Sequence, residues 1–302
     1  MWVGKVMNEN AFSKYHPVVN FTFFIGAICF SVIIQHPIYL LAGLLTSSTY
    51  YMLLNGKKGW KTIGGLFRLF IFLTCINPLI NTRGMTVLFH VFDRPYTLEA
   101  LLYGVAIASI FVVMMLWLGC YNKIMTNDKF TSLLGNKMPT VSLLLGMVFR
   151  MIPNLIKKTK QIIEIRSSIG KWVESKSTLR RKLSVGMIII GILASWALEE
   201  SVVTGDSMRA RGYGAYKRSS FMIYRMTTTN WLLLAFMFVM IATVGCFGIN
   251  GSMDATFVPE CNIEPINGIN VLGFLAYCGY LSIPIVLHIK EAIQWNISRY
   301  KI

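Results

Sequence analysis

Long apolar runs broken by short polar turns dominate this chain. Mostly apolar stretches at about 18–35, 37–54, 63–80, 98–120, 227–248 and 269–288 each approach the roughly 17–25 residues that a helix needs to cross a bilayer. Only Gln35-His36-Pro37 separates the first two, which predicts a tight helical hairpin. The pattern changes between 138 and 225. From Arg150 the chain reads RMIPNLIKKTKQIIEIRSSIG, with Ile152, Leu155, Ile156, Thr159 and Ile163 at helical spacing. Lys157, Lys158, Lys160 and Glu164 fall mostly elsewhere, so the stretch predicts an amphipathic helix. A polar, basic connector (KWVESKSTLRRK) follows, and then a long segment over 183–211. Its first half, LSVGMIIIGILASWAL, has 16 almost wholly apolar residues; its second half, EESVVTGDSMRARG, is polar and charged. Such a helix suits the membrane interface, with its far end in water. The pattern therefore predicts an all-α polytopic membrane protein with about six transmembrane helices and two long cytoplasmic helices. Its expected organisation is 1–137 (membrane helices), 138–225 (cytoplasmic helical region) and 226–302 (membrane helices). Residues 81–92 are short enough to dip back into the bilayer, and 183–198 can be counted as a further span.

Composition removes the soluble alternative. Of 302 residues, 55% are hydrophobic and 14% charged, whereas soluble domains carry roughly 25% charged residues. A water-soluble globule of this size needs more polar surface than that, and a disordered chain would be far less apolar. The formal charge of +16 is unevenly placed. Residues 55–61 carry three lysines, 150–225 hold 15 of the 29 basic residues, and 249–268 hold three acids and no Lys or Arg. The positive-inside rule then puts 55–61, 121–225 and both termini in the cytoplasm, with 81–97 and 249–268 outside. The polar N-terminus lacks a small-residue cleavage site before the first apolar run, so no removable signal peptide is expected. Among the six cysteines, Cys246 and Cys261 flank the outer loop, where a disulfide can form.

Catalytic signatures are scarce. His16, His36, His90 and His288 do not pair with Cys, Asp or Glu at a metal-ligand spacing. The chain has no phosphate-binding G-x-x-x-x-G-K-[ST] loop, no G-x-S-x-G and no H-E-x-x-H. It reads as a non-enzyme without a cofactor of its own. Arg68 is the one charge well inside a predicted span, and its long side chain can snorkel to the headgroups. No span is expected to bury an Asp or Glu, which argues against a proton-coupled path. Asn77-Pro78 sits at the outer end of the third span, where proline ends or bends a helix.

The sharpest local signal is Ser207-Met208-Arg209-Ala210-Arg211-Gly212-Tyr213-Gly214. Arginines in a last turn complement the helix dipole, and the following glycine can adopt a left-handed cap. Such an end can also dock in a groove of a soluble partner, with Arg211 bonded to a carboxylate.

Taken over almost its whole length, the chain resembles the transmembrane T component of energy-coupling factor transporters. The resemblance rests on His16-Pro17, Asn77-Pro78-Leu79 and Gly84-Met85-Thr86-Val87-Leu88-Phe89, followed by Leu98-Glu99-Ala100-Leu101. Arg150-Met151-Ile152-Pro153 and Ala210-Arg211-Gly212-Tyr213-Gly214 complete it. That family carries two Ala-Arg-Gly signatures, one at the end of each coupling helix. Here the first falls on Ser168-Ile169-Gly170, with Ile169 in place of arginine and Arg166 three residues earlier. Either Arg166 substitutes from a shifted position, or this end docks by apolar contact. The resemblance implies ATPase docking through Arg209, Ala210, Arg211 and Gly212, and through Arg166, Ser168, Ile169 and Gly170.

It further implies a prokaryotic plasma-membrane complex with two cytoplasmic ATP-binding cassette ATPases, which bind the ATP, and a small substrate-binding membrane subunit (S). The cargo would be a vitamin, a vitamin precursor or a transition-metal ion. Gly104, Ala108, Gly191 and Ser195, at four-residue spacing, permit close helix contact, whether with a partner or within the chain. Two rival classes remain: a stand-alone secondary carrier, disfavoured by the missing buried acids and repeats, and a membrane scaffold with a basic docking region. Nucleic acid is not an expected partner, because Trp172, Tyr213 and Tyr216 are too few for stacking platforms.

Overall fold

The computed structural model describes residues 11–81, 86–91, 94–135, 138–170, 178–215, 224–251, 253, 255–257, 262–263, 268 and 270–300. Among them the chain is nearly all helical and divides into two compact units, Met1–Thr126 with Tyr224–Ile302, and Asn127–Ile223.

The first unit contains helices α1 (Pro17–Ile33), α2 (Pro37–Asn55), α3 (Lys57–Ile80), α4 (Leu98–Ile124), α8 (Thr228–Ile249) and α9 (Asn270–Tyr300). The two shortest junctions have readable causes. His16 and His36 each act as N-cap, accepting the backbone N–H two residues on (Val18 and Ile38) on Nδ1 at 3.3 Å. Each is followed by a proline, whose fixed φ suits the first helical position and whose missing N–H leaves nothing unsatisfied there. Between α2 and α3 the whole connection is Gly56, at φ 54 and ψ −139, a conformation open to glycine and costly for other residues. The Lys123 ammonium, on α4, donates to the Leu54 carbonyl and to Asn55 Oδ1 (2.9 Å), and so clamps this turn.

The core is aromatic, and α4 lies at its centre, packed against α1, α2 and α3. Phe23 stacks on Tyr280 with centroids 5.3 Å apart and meets Trp117 edge-on at 5.4 Å. Phe30 meets Tyr280 edge-on at 5.5 Å. Lipid tails are as apolar as these side chains, so complementarity and interhelical hydrogen bonds, rather than expulsion of water, hold such helices together. The Tyr280 hydroxyl donates to the carbonyls of Thr22 and Phe23 at 3.1 and 3.0 Å. It lies directly over Gly26, where a side chain would collide with it.

Pro78 falls inside the last turn of α3, which ends two residues later. Proline has no N–H, so the Thr74 carbonyl loses its helical donor. Gly104 of α4 packs there: a Cβ at that position would lie 3.0 Å from the Thr74 oxygen and 2.9 Å from Asn77 Cβ. Ala108, one turn on, is fully buried. This half of the small-residue pattern is therefore packing within the chain.

Two short hairpins modify the expected all-α plan. Strands β1 (Val87–Val91) and β2 (Arg94–Thr97) pair antiparallel, with His90 opposite Pro95 and Val91 opposite Arg94. Strands β3 (Ala255–Thr256) and β4 (Asn262–Ile263) form the second. Glu99, in the first turn of α4, ties the first hairpin down. Its carboxylate accepts the Thr86 N–H (3.1 Å) and hydroxyl (2.7 Å), while Thr97 caps α4 by accepting Ala100 N–H at 3.4 Å. Phe257, beside the second hairpin, packs on Tyr103 of α4 with centroids 6.2 Å apart. Lys14, just before α1, is ion-paired with Glu291 near the end of α9, so both ends of the described chain lie at one end of this unit.

The second unit contains α5 (Asn127–Gly135), α6 (Pro139–Ser168) and α7 (Leu179–Ala210). The expected amphipathic segment begins at Arg150, but the helix starts at Pro139 and takes in the apolar run before it. Ser142 Oγ donates to the Thr131 carbonyl at 3.0 Å and fastens α6 to α5. The expected apolar face of α6 is also split: Leu155, Thr159 and Ile163 are half-buried, but Ile152 and Ile156 are exposed. Neither α6 nor α7 has a buried residue.

Seven helices among the described residues are long and apolar enough to cross a membrane: α2, α3, α4, α6, α7, α8 and α9. Helix α1 is apolar but has 17 residues, at the lower end of the spanning range. By length and composition, then, α6 and α7 qualify as well as the expected segments. Cys261, the connector over 171–177 and half of 249–268 lie outside the described residues.

Candidate functional site

The residues singled out from the sequence lie at the C-terminal ends of α6 and α7. On α7, Arg211 is the C-cap at φ −84 and ψ 8. Gly212 follows at φ 77. The Gly212 N–H donates to the Arg209 carbonyl at 2.9 Å, and the Tyr213 N–H donates to the Met208 carbonyl at 3.1 Å. These two bonds make a Schellman motif, which satisfies carbonyls that the helix end would otherwise leave open. The left-handed glycine is needed because a Cβ at that φ costs roughly 1–2 kcal/mol.

On α6 the same cap conformation recurs, with the first of the two bonds; Lys171, which would donate the second, lies outside the described residues. Ile169 is the C-cap at φ −86 and ψ 4, Gly170 follows at φ 70, and the Gly170 N–H donates to the Ser167 carbonyl at 3.0 Å. Ser168, Ile169 and Gly170 therefore take the same backbone positions as Ala210, Arg211 and Gly212. The correspondence drawn by counting along the chain is thus also a correspondence of conformation.

The side chains differ. Arg209 and Arg211 are exposed, and among the described residues neither has an ion-pair or hydrogen-bond partner. Ile169 is 63% exposed. Arg166 is half-buried and its Nε is shielded from solvent without a partner. It lies about 4.5 Å back along the axis from Ile169, at a rise of 1.5 Å per residue. The structure thus does not bring Arg166 to the cap position that Arg211 holds.

Near both helix ends, serine hydroxyls bond back to the preceding turn. Ser167 Oγ and Ser168 Oγ each donate to the Glu164 carbonyl, at 2.7 and 3.0 Å, and Ser207 Oγ to the Thr204 carbonyl at 2.9 Å. Helices α6 and α7 meet where the Lys158 ammonium lies 5.5 Å from the centroid of Trp196. Beyond that point α6 continues for about 16 Å to Ile169 and α7 for about 22 Å to Arg211. Their outer faces carry exposed Leu144, Val148, Ile152 and Ile156 on α6, and Leu183, Met187, Ile190 and Leu198 on α7. Gly191 faces open space and Ser195 is exposed, unlike the packed Gly104 and Ala108.

No group of three or more His, Cys, Asp or Glu side chains converges to hold a metal ion among the described residues. Sequence reasoning missed two supporting features, the Lys123 clamp and the Thr86–Glu99 tie. The second had a readable signal, since a Thr N-cap followed by an acid in the first turn marks a helix start. The first had none, because Lys123 and Asn55 are far apart in sequence. No family model matches this chain, and no curated protein matches it either.

Proposed function

We propose that this chain is the transmembrane coupling subunit of an ATP-driven importer of the energy-coupling factor type. It would sit in a prokaryotic plasma membrane with two cytoplasmic ATP-binding cassette ATPases and a small substrate-binding membrane subunit. It carries no catalytic chemistry in this reading, and ATP is hydrolysed in the partners. The observation that supports it most is the pair of like-capped ends on α6 and α7. Two exposed tips of matched backbone geometry, on long helices with uncovered apolar faces, suit one contact per ATPase.

In this reading α1, α2, α3, α4, α8 and α9 span the bilayer, and α6 and α7 are the cytoplasmic coupling helices. The Lys14–Glu291 pair supports an even number of spans, and the basic excess over 121–225 assigns that side to the cytoplasm. Closing of the ATPase dimer moves the two tips relative to each other, and the helices pass the motion to the substrate subunit. Coupling requires contacts that differ between the two states; Arg211 supplies a charged one and Ile169 an apolar one. The cargo is a vitamin, a vitamin precursor or a transition-metal ion, chosen by the other membrane subunit.

The test is a mild-detergent pull-down of the tagged chain from native membranes, beside Arg211→Glu. Two ATPases and a small hydrophobic protein should accompany the unaltered chain. Hydrogen bonds to charged groups contribute about 1.5–3 kcal/mol, so the variant should lose ATPase association at least tenfold while remaining inserted. Recovery of the unaltered chain alone, or full association and transport by Arg211→Glu, refutes the reading.

A further inference from the structure

The junction of α2 and α3 carries a second site. A groove of about 670 Å³ opens there, lined by Thr49, Met52 and Leu53 of α2, Gly56, and Lys57 and Trp60 of α3. Its volume falls within the roughly 300–1,000 Å³ of small-molecule sites. The lining is chiefly apolar at the α2 side and cationic at the rim. Lys57, Lys58 and Lys61 crowd the first five residues of α3, whose first turn has no acid. All three are exposed, and none has an ion-pair or hydrogen-bond partner among the described residues.

Two physical facts make this arrangement unfavourable as it stands. Cations at the positive end of a helix dipole are repelled by it, and three of them within five residues repel one another. Gly56 provides no side chain to cap the helix. An anion at the rim answers both problems. The apolar floor and Trp60, 70% exposed, answer a different need, because tryptophan sits at the boundary between headgroups and acyl chains. Free phosphate uses only the lysines; a phospholipid uses the lysines and the groove.

The geometry points to a binding site for an anionic phospholipid, with its phosphate at Lys57, Lys58 and Lys61 and an acyl chain along Met52, Leu53 and Trp60. The site is rigid. The Lys123 clamp holds Leu54 and Asn55, and Gly59 packs closely on α2, where a Cβ would lie 3.2 Å from Asn55 Cβ. A preformed groove loses little conformational freedom on binding. Basic pockets between membrane helices on the cytoplasmic side are of the kind that hold anionic headgroups. The inference rests on embedding in a bilayer and not on the coupling function.

Native mass spectrometry of the full chain tests it, with phosphatidylglycerol, phosphatidylcholine of the same acyl chains, or inorganic phosphate added in turn. One phosphatidylglycerol should be retained per chain, at least tenfold in preference to phosphatidylcholine, and inorganic phosphate should not displace it. Each lysine is worth about fivefold in affinity at an anionic surface. The Lys57→Gln/Lys58→Gln/Lys61→Gln variant should therefore bind about 100-fold more weakly, with Lys157→Gln/Lys158→Gln on α6 unchanged. A second measurement locates the lipid. Phosphatidylglycerol with brominated chains should quench the part of the fluorescence that Trp60→Phe removes. Equal retention of phosphatidylcholine, displacement by phosphate, an unaffected triple variant or unquenched Trp60 would each overturn the site.

Discussion

Substituting Gly26 by alanine tests the packing that holds α1 to α9. An added Cβ would lie 2.9 Å from Tyr280 Cζ and 3.3 Å from Cε1, and closer still to the hydroxyl oxygen. Ordinary contact needs about 3.5–4.0 Å, so the ring must shift by roughly an ångström. It has nowhere to go: Tyr280 is fully buried, stacked on Phe23 and edged by Phe30. Overpacking of this kind costs about 1–3 kcal/mol. Moving the hydroxyl also breaks the one hydrogen bond it shares between Thr22 and Phe23, worth about 0.5–1.5 kcal/mol. The sum is about 1.5–4.5 kcal/mol, set against a gain of about 1 kcal/mol in helix propensity. Thermal unfolding of the detergent-purified chain should show the midpoint falling by about 1–14 °C, at about 2–4 °C per kcal/mol for a unit of this size. Tyr280→Phe alone should cost about 1 kcal/mol. Combined with Gly26→Ala it removes the colliding oxygen, so the double variant should be more stable than the sum of the two single losses. An unchanged midpoint for Gly26→Ala, or strict additivity in the double variant, refutes the contact.

Ile169→Arg should leave α6 folded, within about 0.5 kcal/mol, because the site is exposed and its backbone already suits arginine. It should weaken ATPase association in the pull-down, whereas Ile169→Leu should not; equal or tighter association by the arginine variant would make this end a charged contact. Glu99→Ala should cost about 1.5–3 kcal/mol through the abandoned Thr86 donors. It should also speed proteolysis within 81–97 with the helical content unchanged, and unchanged cleavage would remove Glu99 from the tie. Burial lowers the His16 pKa below its ordinary value, and its neutral Nδ1 accepts the Val18 N–H. The capping contribution is therefore complete above about pH 6.5 and is lost as pH falls through the folded pKa. His16→Asn keeps a cap without titrating, so its thermal midpoint should vary less with pH below 6.5; equal pH slopes would exclude His16.

The long apolar helices were legible from the sequence because one property decides them. A run of apolar residues of sufficient length has few alternatives to a helix, since every backbone N–H and C=O needs an internal partner. The six expected segments accordingly reappear as α1, α2, α3, α4, α8 and α9, within a few residues except for the start of α3 and the far end of α9. The helix-end signal at 207–214 was equally local, and Gly212 takes up the left-handed cap its neighbours suggested. What the sequence left open depends on distant partners. Nothing near Gly104 says that it faces the carbonyl freed by Pro78, and nothing near Gly26 says that a tyrosine over 250 residues away rests on it. Hydropathy likewise cannot rank α6 and α7 as spans or surface helices, because their apolar windows are as long as those of the other apolar helices. Only the folded chain shows that Ile169 and Arg211 occupy one backbone geometry. Cap conformation follows from local hydrogen bonds, but which side chain stays exposed at the tip is decided by what packs around it.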